Sequence, residues 1–230
     1  MDKRLKRLIA EKPLERLTQA EMLRKGLLGE VFVGKDSALL YAEHMDLYVL
    51  MANNSEAAEE AALYAKNPRI ILSDIPSFDL ELVKRFSLSK HKPCYVAAYL
   101  SDEKIAVSKD IVLKPLSLKH VDRVLENYHL MNKESIVRSI QSGVLQGGFY
   151  LDEWVGFIGQ HEEGTVGMLH IFDEYRKHGF GYALEAMMIN KLIDLGDIPI
   201  GHVIIDNHAS LALQRKLGMT ISEGTISWVV

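Results

Sequence analysis

Hydrophobic and polar positions alternate along the first half of this 230-residue chain in a way that predicts helices and strands in succession. Short apolar runs typical of strands occur at residues 38–42, 47–51, 70–72 and 95–100. Helical periodicity is present at residues 55–66 and 78–86, and Pro13 is suited to the first turn of a helix that ends near Gly26. This half is therefore predicted to be a small α/β domain.

The second half gives a clearer pattern. Ser117 is suited to cap a helix that continues to about Tyr128, and a second helix is predicted at residues 133–141. Three strands follow, at residues 144–151, 154–159 and 165–172, with connections short enough for antiparallel hairpins. We expect an α/β (mixed α+β) fold with an N-terminal domain at residues 1–108 and, at residues 109–230, a mostly antiparallel mixed sheet flanked by helices.

Composition excludes several classes of protein. Hydrophobic residues make up 48% of the chain and the formal net charge is −4, whereas nucleic-acid binders usually carry a basic face. No apolar run is long enough to span a bilayer, so we expect no membrane partner. Cys94 is the single cysteine, which suits a reducing, cytoplasmic location. The nine histidines are scattered and form no metal-binding pattern, so no metal is expected.

Candidate chemistry is concentrated where a predicted strand ends at Phe172 and a helix begins near Tyr182. The N-terminus of a helix offers unpaired N–H groups and attracts anions, most often phosphates. Gly179 and Gly181 allow close approach of the backbone, and three basic residues precede or adjoin them, namely Arg176, Lys177 and His178. The alternative is a structural turn. A dinucleotide fingerprint is excluded because Leu184 stands where the third glycine should be.

Two motifs resemble those of the GNAT superfamily of N-acetyltransferases. Arg176, Gly179 and Gly181 match the motif R/Q-x-x-G-x-G/A, which binds the pyrophosphate of acyl-CoA in that family. The second motif, N-x-x-S-x-x-L-Y-x-K-x-G, is matched at Asn207, Ser210, Leu213, Lys216 and Gly218. The predicted strand at residues 199–203 is similar to the corresponding strand in the glycine N-acyltransferase-like branch of that superfamily. The resemblance covers residues 109–230 and extends to residues 1–108 only through a two-domain layout.

The resemblance implies a GNAT-type sheet and an acetyl-CoA or other acyl-CoA co-substrate, held between strands at residues 165–172 and 198–205. It implies transfer of the acyl group to a primary amine of a small molecule or amino acid by direct attack. The expected acyl-CoA contacts are Leu169, His170, Ile171, Arg176, Lys177, His178, Gly179, Phe180, Gly181, Tyr182, Asn207, Ser210 and Leu213. The alternative is a non-catalytic domain that binds acyl-CoA as a sensor or scaffold.

The catalytic residues expected from the resemblance are only partly present. Many relatives carry a glutamate on the strand where this chain has Thr165, so Glu163 is our first candidate for the general base, with a solvated hairpin carboxylate as the alternative. His170 is a second candidate, with a satisfied core or surface histidine as the alternative, and its position predicts the opposite strand face from Leu169. Gln214 replaces the tyrosine that usually acts as the acid, and an amide can hydrogen-bond but cannot supply a proton.

The role of residues 1–108 is open at this point. We expect a domain that contributes to substrate selection, to interaction with a partner or to homodimerisation, and no nucleic-acid partner.

Overall fold

The computed structural model of the protein describes residues 2–129 and 131–230. Its helices are α1 (Lys3–Glu11), α2 (Leu17–Arg24), α3 (Ser55–Ala62), α4 (Asp79–Phe86), α5 (Val121–Asn127), α6 (Lys133–Gln141), α7 (Phe180–Asp194) and α8 (His208–Lys216). Its strands are β1 (Gly29–Val33), β2 (Ser37–Ala42), β3 (Leu47–Ala52), β4 (Ile70–Ser73), β5 (His91–Ala98), β6 (Ile111–Pro115), β7 (Gln146–Tyr150), β8 (Glu153–Gln160), β9 (Val166–Ile171), β10 (Ile200–Ile204), β11 (Thr220–Ile221) and β12 (Ile226–Val229).

The chain forms two compact units that are interleaved in sequence. The first contains the residues up to Ala97 together with His202–Ser210 and Ile221–Val230. The second contains Ala98–Gly201 and Leu211–Thr220.

The first unit is built on a mixed sheet with the strand order β1-β2-β3-β4-β12-β5. The β3–β4 pair is parallel, and the other neighbouring pairs are antiparallel. Helix α3 packs on β2 and β3 through its alanine face, formed by Ala57, Ala58, Ala61 and Ala62. Asn54 caps this helix, because its side chain accepts a hydrogen bond of 2.9 Å from the N–H of Ala57.

A buried ion pair connects two distant segments of the first unit. The guanidinium of Arg16 is fully buried and donates to the carboxylate of Asp74, to Leu8 O and to Ala52 O. The second carboxylate oxygen of Asp74 accepts from the N–H of Ala52 at 2.9 Å. Burial of a charge is costly unless it is paired and hydrogen-bonded, and both conditions are met here.

The second unit has the strand order β10-β9-β8-β7-β6. Strands β6, β7, β8 and β9 are antiparallel in succession, whereas β10 is parallel to β9. One apolar cluster joins α5 and α6 to the sheet and includes Phe157, Met168 and Phe172. A second cluster joins α7 to the sheet through Leu184 and Met188.

The fold class expected from the sequence is confirmed: a mixed sheet is flanked by helices, and the three hairpin strands and the parallel strand after them are all present. The helix predicted to begin at Pro13 is wrong in its start, because α2 begins at Leu17. In the described parts of the chain, no helix combines the length and the apolar character needed to cross a bilayer.

Candidate active site in the second unit

Strand β9 is interrupted by a bulge at its centre. His170 pairs with Phe157 and Gly167 pairs with Gly159, so two residues of β9 lie opposite the single Ile158. Met168, one of the two, has a φ of 52°, which is unusual for a residue that is not glycine. A bulge leaves the extra residue without a ladder partner and turns neighbouring side chains to the other face.

The bulge changes which side chains share a face of the sheet. Val166, Leu169 and Ile171 belong to the cluster that packs with α7. Met168 belongs to the cluster of α5 and α6, and the His170 ring stacks on Phe157 with ring centroids 5.5 Å apart. The prediction that His170 faces away from Leu169 is therefore confirmed.

The loop after β9 leads directly into α7. A short 3-10 turn at Asp173–Tyr175 is followed by Arg176 in extended backbone, and Lys177 and Gly179 have φ angles of 65° and 85°. Gly179 is the N-cap of α7, and because glycine has no side chain it leaves the N–H groups of the first turn uncapped. The first N–H groups of this 15-residue helix can therefore donate hydrogen bonds to an anion, which the positive end of the helix dipole also attracts.

Gly179 and Gly181 differ in their physical roles. A Cβ at Gly179 would meet no atom within 4 Å, but the φ of 85° disfavours any other residue. A Cβ at Gly181 would lie 3.7 Å from the Ile171 side chain and 3.9 Å from that of Leu213, which is ordinary van der Waals contact. Gly181 therefore keeps space between α7, β9 and α8, whereas Gly179 provides the turn.

Of the three basic residues in the loop, Arg176 has partners within the chain. Its Nε donates to Ile171 O at 3.1 Å, and its guanidinium lies 2.8 Å from the Asp173 carboxylate. Lys177 and His178 are exposed at the same loop. Arg176 thus braces the end of β9, and Lys177 contributes positive charge at the helix N-terminus.

Aromatic rings line the first turn of α7. Phe180 contacts Tyr150 and His178, with ring centroids 5.2 Å and 6.1 Å apart. The ammonium of Lys216 lies 5.1 Å from the ring centroid of Tyr182, which joins α8 to α7 through a cation–π contact.

Glu163 lies in the hairpin turn before β9. The strand begins at Val166, so Glu163 lies outside β9. The alternative of a solvated carboxylate is wrong, because Glu163 is only 9% exposed and accepts a hydrogen bond of 2.6 Å from Thr165 Oγ1. Burial, followed by the negative charge of Glu163, raises the pKa of Tyr128 to about 12.

His170 is half-buried beside Phe157 and Phe172. Its Nε2 is buried and has no hydrogen-bond partner among the described residues. Burial, and then the charge of Arg176, lowers the pKa of His170. The ring is therefore favoured in its neutral form, in which one nitrogen can accept a proton.

Gln214 is joined to a carboxyl group that the sequence analysis missed. Its Nε2 donates to Glu185 Oε1 at 2.8 Å, and both side chains are buried, with exposures of 3% and 4%. Burial raises the pKa of Glu185 to about 7, while the hydrogen bond from Gln214 acts in the opposite direction. A signal existed in the sequence, because Glu185 is a charged residue within the apolar face of α7 and follows Gly181 by one helical turn.

Strands β9 and β10 are in register at a single pair of positions, Val166 and Gly201. A Cβ at Gly201 would lie 3.7 Å from Val166 O and 3.9 Å from Gln214 Oε1. The end of the Gln214 side chain is therefore at the point where the two parallel strands separate.

The remaining predicted contacts belong to the first unit. Asn207 Oδ1 accepts a hydrogen bond of 3.0 Å from the N–H of Ser210, so Asn207 acts as the helix cap that its position before α8 allows. The second unit brings together the other predicted contact residues around β9 and the start of α7, and Leu213 faces Gly181 from α8. No group of three or more His, Cys, Asp or Glu side chains in the described residues could hold a metal ion.

Comparison with known proteins gives matches at the level of family model and fold. Residues 142–229 match the model of the family described as FR47-like protein. No curated protein sequence matches the chain. A Drosophila protein solved by structural genomics is similar over 94% of this chain and 87% of its own, with 12% identity and a TM-score of 0.64.

Two bacterial structures carry informative names. A GCN5-related N-acetyltransferase from Kribbella flavida covers 94% of this chain and 95% of its own, with 10% identity and a TM-score of 0.57. A GCN5-related N-acetyltransferase-like protein from Streptococcus suis covers 99% and 97%, with 15% identity and a TM-score of 0.54. The protein therefore has the fold of the GCN5-related N-acetyltransferases, the GNAT superfamily, and its residues 142–229 match the FR47-like family model.

Proposed function

We propose that the protein is an acyl-CoA-dependent N-acyltransferase that moves an acetyl or other acyl group to a primary amine of a small molecule or amino acid. The observation that carries this proposal is the arrangement at the end of β9. A bulged strand leads into a basic loop, and the loop positions an open helix N-terminus beyond the end of β9, whose other end pairs with its parallel neighbour at Val166. The names of the solved structures with this fold support acetyl transfer.

Acyl-CoA binding at this arrangement follows from the geometry of the loop. The pyrophosphate would accept hydrogen bonds from the first N–H groups of α7, at Phe180, Gly181 and Tyr182, beside the charge of Lys177 and the exposed ring of His178. The pantetheine would run along Leu169 and Ile171, in the space that Gly181 leaves open. The bulge at Met168 provides backbone that is not used by the ladder and can polarise the thioester carbonyl.

The amine must lose a proton before or during attack, because an alkylammonium has a pKa of about 10.4. Glu163 is the best candidate for the base, since it is buried and held by Thr165. His170 is a second candidate on the same side of the sheet as Phe157, and its Nε2 has no hydrogen-bond partner among the residues that the structure describes. The nitrogen attacks the carbonyl carbon, the C–S bond breaks, and the sulfur leaves with the electron pair.

Several finer assignments belong to the same proposal. The resemblance at residues 199–203 favours the glycine N-acyltransferase-like branch, and with it an amino-acid acceptor. The N-terminal residues 1–108 would select the acceptor or mediate homodimerisation. The single cysteine, Cys94, is in keeping with a cytoplasmic location, and the acidic net charge disfavours nucleic acid as a partner.

A direct test measures release of free thiol from acetyl-CoA with a panel of amines and amino acids. Thiol release that depends on the amine, together with the acylated amine identified by mass spectrometry, would support the proposal. Longer acyl-CoAs follow if acetyl-CoA gives no release. Failure of every acyl-CoA and amine to react would contradict it.

The second candidate is a domain that binds acyl-CoA without transferring the acyl group. It is favoured by one observation: Gln214 stands where the resembled family carries a tyrosine, and an amide cannot give up a proton. Binding of acetyl-CoA in calorimetry without turnover of any amine would favour this candidate over the transferase.

A further inference from the structure

Two buried polar groups in the second unit have unused hydrogen-bonding atoms. Glu185 Oε1 accepts from Gln214, but Glu185 Oε2 has no hydrogen-bond partner among the described residues. Gln214 Oε1 is likewise buried and unpartnered within the described part of the chain. Buried polar atoms usually have a partner, so this pair calls for an explanation.

The pair lies along the path that begins at the glycine loop. Gly181 and Glu185 are one helical turn apart and share a face of α7. Gly181 faces Ile171 and Leu213, and the next residue of α8 is Gln214, which binds Glu185. The same Gln214 side chain reaches Gly201, where β9 and β10 separate. Glu185 therefore lies one turn further along α7 than the helix N-terminus, near the point where the two strands separate.

The surroundings of Glu185 determine its protonation. The residues of β6, β8 and β9 that pack with α7 are apolar, namely Ile111, Val155, Ile158 and Val166. From α8, the partner is the neutral amide of Gln214. Burial raises the pKa of Glu185 to about 7. A carboxyl group in such surroundings keeps its proton near neutral pH and can act as a hydrogen-bond donor and an acid.

We propose that Glu185 is the proton donor for the leaving thiolate of CoA, and that Gln214 holds its carboxyl group in place. This inference rests on the proposed acyltransferase function. As the C–S bond breaks, the sulfur takes the electron pair and Glu185 Oε2–H transfers its proton to it. Free CoA thiol and a Glu185 carboxylate result. The proton lost by the amine goes to the base, and Glu185 regains a proton from solvent.

With Glu185 as the acid, a proton donor is present although Gln214 occupies the position of the tyrosine that usually acts as the acid. The amide at this position cannot supply a proton itself, but its N–H orients a neighbouring acid through the hydrogen bond of 2.8 Å. The acid then belongs to α7 rather than α8. In this scheme Glu163, in the turn before β9, takes the proton of the amine, and Glu185, hydrogen-bonded to α8, gives one to the thiolate.

The test compares Glu185→Gln with the wild-type protein over a range of pH, using acetyl-CoA and the amine found by the panel. The variant retains size and can keep the hydrogen bond to residue 214 but has no proton to give. We expect kcat to fall by about 100-fold or more, with a much smaller change in KM for acetyl-CoA. Wild-type kcat should decline above the Glu185 pKa of about 7, and the variant should lack this decline.

Two further variants sharpen the result. Glu126→Gln alters an exposed glutamate of the same unit and should leave both kcat and the pH profile unchanged. Gln214→Tyr in the Glu185→Gln background places an O–H donor beside the missing acid, and recovery of at least part of kcat would support the assignment.

Failure of this inference is distinct from failure of the proposed function. An active wild-type protein whose Glu185→Gln variant keeps the same kcat and the same alkaline decline would overturn the role of Glu185 and leave the transferase intact. A wild-type protein that acylates no amine would instead contradict the transferase function, and this inference with it.

Discussion

Thr165 Oγ1 donates a hydrogen bond of 2.6 Å to Glu163 Oε1, and both residues are buried just before β9 begins. The hydroxyl holds a carboxylate that the hairpin turn would otherwise leave free to rotate. Thr165, which stands where many members of the resembled family carry a glutamate, therefore supports the carboxylate two residues earlier. In the proposed mechanism, Glu163 supplies the carboxylate that many members of the resembled family carry at the position of Thr165, and a hydrogen bond fixes its position.

We expect Glu163→Gln to lower kcat/KM for the amine by about 100-fold or more, because general bases contribute at least that much. The neighbouring Glu162→Gln is the matched control, since Glu162 is exposed in the same turn. Thr165→Val keeps the carboxylate and removes its hydrogen bond, so a smaller loss of about tenfold is expected. Steady-state kinetics at saturating acetyl-CoA measure all three. Equal activity in Glu163→Gln and Glu162→Gln would exclude Glu163 as the base.

The two glycines of the loop should respond differently to alanine. Gly179→Ala places a Cβ at a φ of 85° and should destabilise the protein by about 1–2 kcal/mol in urea unfolding. Gly181→Ala makes contacts of 3.7 Å and 3.9 Å and should be neutral or stabilising, because alanine is the better helix former.

Binding of acetyl-CoA tests whether the space beside Gly181 is used by the ligand. Gly181→Phe fills the space between Ile171 and Leu213 and should weaken acetyl-CoA binding at least about tenfold in calorimetry, with Gly181→Ala as the control. Tight binding by Gly181→Phe would show that acyl-CoA does not occupy this space.

Local sequence patterns predicted the elements whose determinants are local. The hairpin strands β7, β8 and β9 were found because their alternation and short turns are contained within a few residues. The Arg16–Asp74 ion pair was not predicted, because its partners lie far apart along the chain. Glu185 was missed for the same reason, since Gln214 lies 29 residues further on. Buried polar pairs of this kind depend on the fold as a whole.

The turn between β7 and β8 contains strain that a substitution can relieve. Leu151 and Asp152 form its two central residues, with φ angles of 47° and 67°, and Leu151 is 68% exposed. Leucine is disfavoured at such an angle, whereas asparagine is common there. Leu151→Asn should stabilise the protein by about 0.5–1 kcal/mol, raising Tm by about 1–4 °C in differential scanning calorimetry.

Leu195→Asn is the control for that substitution, because Leu195 is 64% exposed but has a φ of −84°. An equal rise in Tm in the two variants would show that the stabilisation comes from removal of exposed apolar surface and not from relief of backbone strain.

The buried carboxyl of Glu185 should make stability depend on pH. Its pKa rises from the usual 4.5 to about 7 on folding, so between these values the unfolded chain has released a proton that the folded protein keeps. Stability is therefore lost as pH rises from about 4.5 to about 7, by an amount on the order of 3 kcal/mol for this group. Urea unfolding at several pH values should show that the free energy of unfolding of Glu185→Gln increases relative to that of the wild-type protein as pH rises across this window. A constant difference between the two would mean that Glu185 ionises normally.

Cys94 should be unreactive in the folded protein, which bears directly on the thiol-release assay. It is 3% exposed, and burial raises the pKa of its thiol to about 12. Only the thiolate reacts with disulfide reagents, and about one thiol in ten thousand is ionised at pH 8 with such a pKa. We expect an aromatic disulfide reagent to label the native protein negligibly and the urea-unfolded protein at one equivalent, with Cys94→Ala giving no signal in either state. Rapid labelling of the native protein would contradict the burial of Cys94 in β5.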